Sequence, residues 1–218
     1  MPDSIVTAGP PFRHESMPPE VALLLPNSGG ASGVIAATAR TAAGPADGAG
    51  RQALGLFLAD PFLNLAAETG ELQRAGISCL ANLPSVQQHD PDFAQQLEDV
   101  GLDFAREVDR LGQLKAAGFQ VIAIVAGPGA AAAVAPLDPL AVVVIPRVAD
   151  FAAGFPSFRQ RGVVAQQVAA ALAESEWRGN LLGLASAGEG AHETLWPDVL
   201  DAVLCRPEPL AAAGTLSP

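Results

Sequence analysis

The residues able to do chemistry in this chain are few, and the informative ones follow short apolar runs. Asp60, in "ADPF", carries a carboxylate that could ligate a divalent metal or bind a substrate hydroxyl, and its place before Pro61 equally suits a helix N-terminal cap. Asn82 and Ser85, in "ANLPSV", could hydrogen-bond a carboxylate or phosphate, or could hold the loop backbone instead. Glu98 lies in the acidic stretch "QQHDPDFAQQLEDVG", which reads either as a lid over a site or as a solvated surface segment; His89 there could shuttle a proton, although a lone loop histidine is usually just surface. Asn27, Ser28, Gly127 and Arg147 also stand at the ends of apolar runs. Arg147 and Arg159 are the favoured anion-binding cations, because 12 basic residues face 23 acidic ones. "SAGEGAHE", residues 186–193, could leave backbone N–H groups free for phosphate, although no HExxH or other metal spacing occurs.

"VIAIVAGPGAAAAV", residues 121–134, has the order strand, glycine turn, helix that holds a pyrophosphate in dinucleotide-binding proteins, with Asp150 as the acidic residue further on. Pro136 leaves the helix barely two turns, Pro128 removes a loop donor, and the turn is not the first strand-to-helix junction of the chain. A tight βα turn bordering a site is the expected reading, and no dinucleotide cofactor is expected.

Composition narrows the partners. A formal charge of −11 with a single lysine, Lys115, argues against nucleic acid or an anionic membrane, both of which need a concentrated positive surface. Two cysteines, Cys79 and Cys205, are too few for a disulfide scaffold and form no zinc motif, so a reducing cytoplasm is the expected setting. Residues 118–137 contain no charged side chain, but Gly127, Pro128, Gly129 and Pro136 would break a spanning helix, and no membrane segment is expected. Half the residues are hydrophobic, enough for a sizeable core.

The elements that must position these groups alternate. Apolar runs at residues 21–26, 54–60, 77–84, 121–127, 141–146 and 181–186 lack polar alternation, as strands covered on both faces do. Segments of helical period lie between them, at residues 64–76, 102–118, 163–177 and 192–205; in the second, Leu102, Ala105, Val108, Leu111 and Leu114 form the apolar stripe and Gly118 closes the helix. β/α alternation implies a mostly parallel sheet with ligands at the carboxyl ends of its strands, either doubly wound or barrel-like.

Three motifs in order make the middle of the chain recognisable. "ADPF" after a strand, "ANLPS" ending the next strand, and Glu98 with Gly101 in the acidic segment after it resemble the phosphoenolpyruvate hydrolase-like family, related to the phosphoenolpyruvate mutase and isocitrate lyase superfamily. "LLLPNSGG", residues 23–30, looks like an earlier strand of the same family. The resemblance implies an α/β TIM-barrel-like (β/α)n fold, incomplete or degenerate at its termini. Residues 1–20 are then a Pro-rich lead-in, 21–205 the barrel and 206–218 a tail. It implies a hydrolase or lyase acting on a small phosphorylated or carboxylated C3–C4 acid such as phosphoenolpyruvate or oxaloacetate. Asp60 and Glu98 would be catalytic, Asp60 would hold a Mg2+ ion, and Asn27, Ser28, Asn82, Ser85, Gly127 and Arg147 would bind substrate. Two departures from the family favour the alternative, a non-catalytic ligand-sensing or protein-interaction barrel: too little chain precedes Val21 for the usual first strand, and Pro146-Arg147 stands where a histidine is usual. A barrel short of its first unit exposes a strand edge, so a homo-oligomer is expected unless residues 1–20 supply a surrogate strand.

Overall fold

The described strands pair in chain order, each with the next, and every pairing is parallel. The computed structural model describes residues 1–6, 33, 35, 52–190 and 196–205. Its strands are β1 (Ser4–Val6), β2 (Gln52–Gly55), β3 (Cys79–Ala81), β4 (Gln120–Val125), β5 (Ala141–Val144), β6 (Asn180–Ala185) and β7 (Ala202–Cys205). The helices are α1 (Leu65–Arg74), α2 (Pro91–Asp99), α3 (Phe104–Ala116), α4 (Pro128–Val134), α5 (Phe158–Glu174) and the four-residue α6 (Ala187–Gly190). A doubly wound sheet reverses its strand order at a switch point, whereas a (β/α) barrel winds one way only. The order β1 to β7 has no reversal, so the fold is α/β and TIM-barrel-like. It is incomplete, because no pairing joins β7 back to β1 among the described residues.

Both faces of the sheet are buried, which is why its strands read as unbroken apolar runs. Leu54, Leu80, Val121, Ala123, Val142 and Leu181 point outward onto Leu72 of α1, Leu111 and Leu114 of α3, and Val168 and Leu172 of α5. Ala53, Cys79, Ala81, Ile122, Ile124, Val143 and Leu184 alternate with them and fill the inner side with Phe151. Residues two apart along a strand share a face, so one apolar run supplies two cores.

The ends of the chain depart from the sequence reading. Ser4–Val6, inside the segment read as a lead-in, pairs with β2 in register Ser4 to Gln52, a strand position of the surrogate kind considered above. Ala202–Cys205, read as the end of a helix, is a strand on β6. Pro197 accounts for this: its carbonyl accepts the Leu200 N–H at 2.9 Å in a turn, after which Asp201 docks on β6 through both its N–H and its carboxylate, bonded to the Leu181 carbonyl and N–H at 2.8 Å each. The apolar run 21–26, with Asn27 and Ser28, lies outside the described residues. The uncharged segment 118–137 divides into β4, α4 and a 3₁₀ turn, and no helix among the described residues is long and apolar enough to cross a membrane.

Candidate functional site

Parallel strands deliver Asp60, Asn82, Gly127, Arg147 and Ser186 to one end of the sheet, beyond the carboxyl ends of β2, β3, β4, β5 and β6. What holds the loops there is α3. The helix starts at Asp103, whose carboxylate accepts the Arg106 N–H at 2.9 Å, and ends at Gly118, whose φ of 93° suits a residue without Cβ. Its buried stripe contains two charged side chains one turn apart, Glu107 and Arg110, beside Leu111 and Leu114.

Glu107 is fully buried and accepts three hydrogen bonds: from Asn82 Nδ2 at 2.9 Å and Ser85 Oγ at 2.6 Å, both on Oε2, and from the Val86 N–H at 2.9 Å on Oε1. Asn82 also takes part in the sheet. Its Oδ1 accepts the Ile124 N–H at 2.7 Å and its Nδ2 donates to the Ile124 carbonyl at 3.2 Å, so a side-chain amide extends the β3 ladder against β4. Burial pushes the Glu107 carboxyl up to about 7; the bonds from Asn82, Ser85 and Val86 pull the other way, and the nearby Asp103 charge raises it further. Arg110 clamps the preceding loop, donating to the carbonyls of Leu58 at 2.5 Å, Asp60 at 2.7 Å and Leu63 at 3.0 Å. One helix thus inserts a carboxyl group into the loop after β3 and a guanidinium into the loop after β2.

This geometry separates the expected site residues. Asn82 and Ser85 are fully buried and bound to Glu107, so they fix the backbone between β3 and α2. Asp60 accepts the Phe62 N–H on Oδ1 at 2.8 Å, a turn-holding bond like that of a cap. Among the described residues no group of three or more His, Cys, Asp or Glu is placed to hold a metal ion. Gly127 is the extended N-cap of α4, whose seven residues match the short helix expected after the glycine turn. The acidic segment is not an open loop: after a 3₁₀ turn it forms α2, started by Asp90, which accepts the Asp92 N–H at 2.9 Å.

Glu98 and Arg147, distant in sequence, border the same space. Both are exposed and line one cavity of about 440 Å³, together with Gln87, His89, Gln95 and Asp103. His89 stands edge-on to Phe57 and Phe93, with ring centroids 6.3 and 5.3 Å away. Burial lowers its pKa, which favours the neutral imidazole, and its Nε2 has no partner among the described residues. Gln87 borders the cavity and receives the Ala126 N–H on Oε1 at 3.0 Å, tying it to the end of β4.

Beyond β6 the expected phosphate loop is occupied from within. Glu189 accepts the Ser186 N–H at 2.9 Å and pairs with Arg161, so that donor is not open to a ligand. Arg159 is exposed, while Arg161, two residues on, is buried. Glu107, Arg110 and Arg161 were not singled out by the sequence reading. The signal was present: Glu107 falls i, i+4, i+7 with Leu111 and Leu114, and Arg161 falls likewise with Ala165 and Val168, so each charge sits on an apolar stripe.

No protein-family model matches the sequence, and a search of curated proteins found no match. Among solved structures the chain is similar to FabK from Thermotoga maritima, with 14% sequence identity and a TM-score of 0.44 over 85% of this chain and 50% of that one. The present chain therefore aligns with about half the length of that protein.

Proposed function

We propose that the chain is an enzyme-derived barrel that binds a small carboxylated or phosphorylated C3–C4 acid at its mouth, in the manner of the phosphoenolpyruvate hydrolase-like family. The observation that carries the reading is the cavity shared by Arg147, His89 and Glu98 at the carboxyl end of the sheet, the position where barrels of this kind bind ligands. Arg147 supplies the planar cation for the anionic group of the ligand, and the neutral His89 ring and the Gln95 amide supply hydrogen bonds. Hydrolase or lyase chemistry would draw on Glu98, the one carboxylate of the expected catalytic pair that lines this cavity.

A second reading, a ligand-sensing barrel without turnover, is favoured by a separate observation. Asn82 and Ser85, the residues expected to grip substrate, are bound to Glu107 inside the protein. Thermal shifts with phosphoenolpyruvate, oxaloacetate, phosphonopyruvate and malonate, with and without magnesium, test acid binding, and product analysis on the acid that binds separates the readings. Saturable stabilisation lost in Arg147→Met supports the site. Absence of a shift with every acid refutes both readings, and binding without product selects the second.

A further inference from the structure

A second cavity, of about 270 Å³, lies beneath the first two turns of α5. Its floor follows from a single glycine. Val144, Gly183 and Val203 form one register row across β5, β6 and β7, all lining this cavity. The missing side chain at Gly183 lets Leu200 pack down onto this row: a Cβ at Gly183 would lie 2.6 Å from Leu200 Cδ1. Phe158 and Val164 of α5 and Pro197 complete an apolar enclosure.

One wall is different. Arg161 is 9% exposed, and its guanidinium lies over the rings of Phe155 and Phe158, at 4.7 and 4.4 Å from their centroids. Nη2 donates to both oxygens of Glu189 at 2.8 Å, Nε donates to the Pro156 carbonyl at 2.8 Å, and Nη1 donates to the Leu184 carbonyl. A guanidinium has five N–H groups, so one on Nη1 has no partner among the described residues. Gln160, on the same wall, accepts the Ser157 N–H and hydroxyl through Oε1, and its Nε2 has no partner among the described residues. The cavity is therefore apolar with spare donors and no spare acceptor from these two side chains. Arg161 and Glu189 neutralise each other, and Asp150, a further carboxylate residue, lines the wall as well.

We propose that this cavity is a binding site for a small, uncharged, largely apolar molecule with one carbonyl acceptor, seated over Gly183 with its oxygen toward Arg161 and Gln160. An anion would meet Asp150 on the wall, and a cation would meet Arg161. A cavity of about 150 Å³ holds benzene, so this one accommodates a ligand of about ten non-hydrogen atoms.

The test uses the whole chain and three probes of similar size: acetophenone, ethylbenzene and benzoate, titrated by protein-observed NMR. Acetophenone should saturate and give intermolecular NOEs to the methyl groups of Val144 and Val203. Ethylbenzene, which lacks the acceptor, should bind about fivefold more weakly, the loss expected for one hydrogen bond. Benzoate should bind more weakly than acetophenone. Val164→Phe and Val203→Phe, which fill the cavity from opposite sides, should each lower acetophenone affinity at least about tenfold. Equal affinity for ethylbenzene, tighter binding of benzoate, or NOEs that miss Val144 and Val203 would each overturn the proposal. The NOEs come from the unsubstituted protein and so decide the matter even where a variant fails to fold.

Discussion

Replacing Glu107 by Gln should remove a pH dependence that the fold itself creates. In the unfolded chain this carboxyl titrates at its ordinary value of 4.5, and in the folded protein burial moves it to about 7. Between these values the folded state keeps a proton that the unfolded state has released, so stability falls as pH rises through that interval. The contribution is fully present below 4.5 and gone above about 7. A shift of this size corresponds to about 3 kcal/mol, at 1.36 kcal/mol for each pH unit. Gln does not titrate, and it carries a pH-independent penalty of its own. A carboxyl, even when protonated, presents an oxygen able to accept at both positions, whereas an amide has one oxygen, so its NH2 must face either the Val86 N–H or the Asn82 and Ser85 donors. That mismatch costs about 1–3 kcal/mol. Urea unfolding of both proteins at intervals from pH 4.5 to 8, followed by circular dichroism, measures the difference. The protein with Glu107 should be the more stable at pH 4.5, and its advantage should shrink by about 3 kcal/mol as pH reaches 7.5. Parallel pH profiles would refute the reasoning, since they would mean that Glu107 ionises in the fold as readily as in the unfolded chain.

Arg110→Met should destabilise the protein by about 3 kcal/mol by leaving the Leu58, Asp60 and Leu63 carbonyls without their donor. Hydrogen exchange should show the opening confined first to the loop after β2, and unchanged exchange there would count against the clamp. Gly183→Ala should cost about 1–3 kcal/mol because its Cβ strikes Leu200, and Leu200→Ala should recover part of that loss in a double-mutant cycle; simple additivity would contradict the contact. A thiol reagent at pH 8 should modify the exposed Cys205 at once and leave Cys79 unmodified until the protein unfolds, because burial raises the Cys79 thiol to about 11. Two thiols reacting together in the native protein would refute this.

Much of the scaffold is legible in the residues. Five apolar runs became β2 to β6, because a strand covered on both faces must be apolar throughout. The helices α3 and α5 followed from their stripes, and the shortness of α4 followed from Pro136. The first and last strands were not legible. Ser4–Val6 has three residues, too few to show a period, and Ala202–Cys205 adjoins a segment whose apolar spacing mimics a helix until Pro197 is given its due.

The sequence by itself determined the β/α order, the two buried faces and the end of the sheet at which Asp60, Asn82, Gly127 and Arg147 emerge, because these depend on local periodicity and on strand direction. Only the tertiary structure decided what those side chains do there. An amide or a hydroxyl can bond a ligand or a neighbour equally well, and the neighbours that answer Asn82 and Ser85 come from Glu107, 25 and 22 residues away. Arg161 found Glu189 across 28 residues, and Arg147 and Glu98 came to border one cavity that neither segment specifies. Hydrogen-bonding capacity is written in a residue's type, but its partner is chosen by which helices pack on which strands.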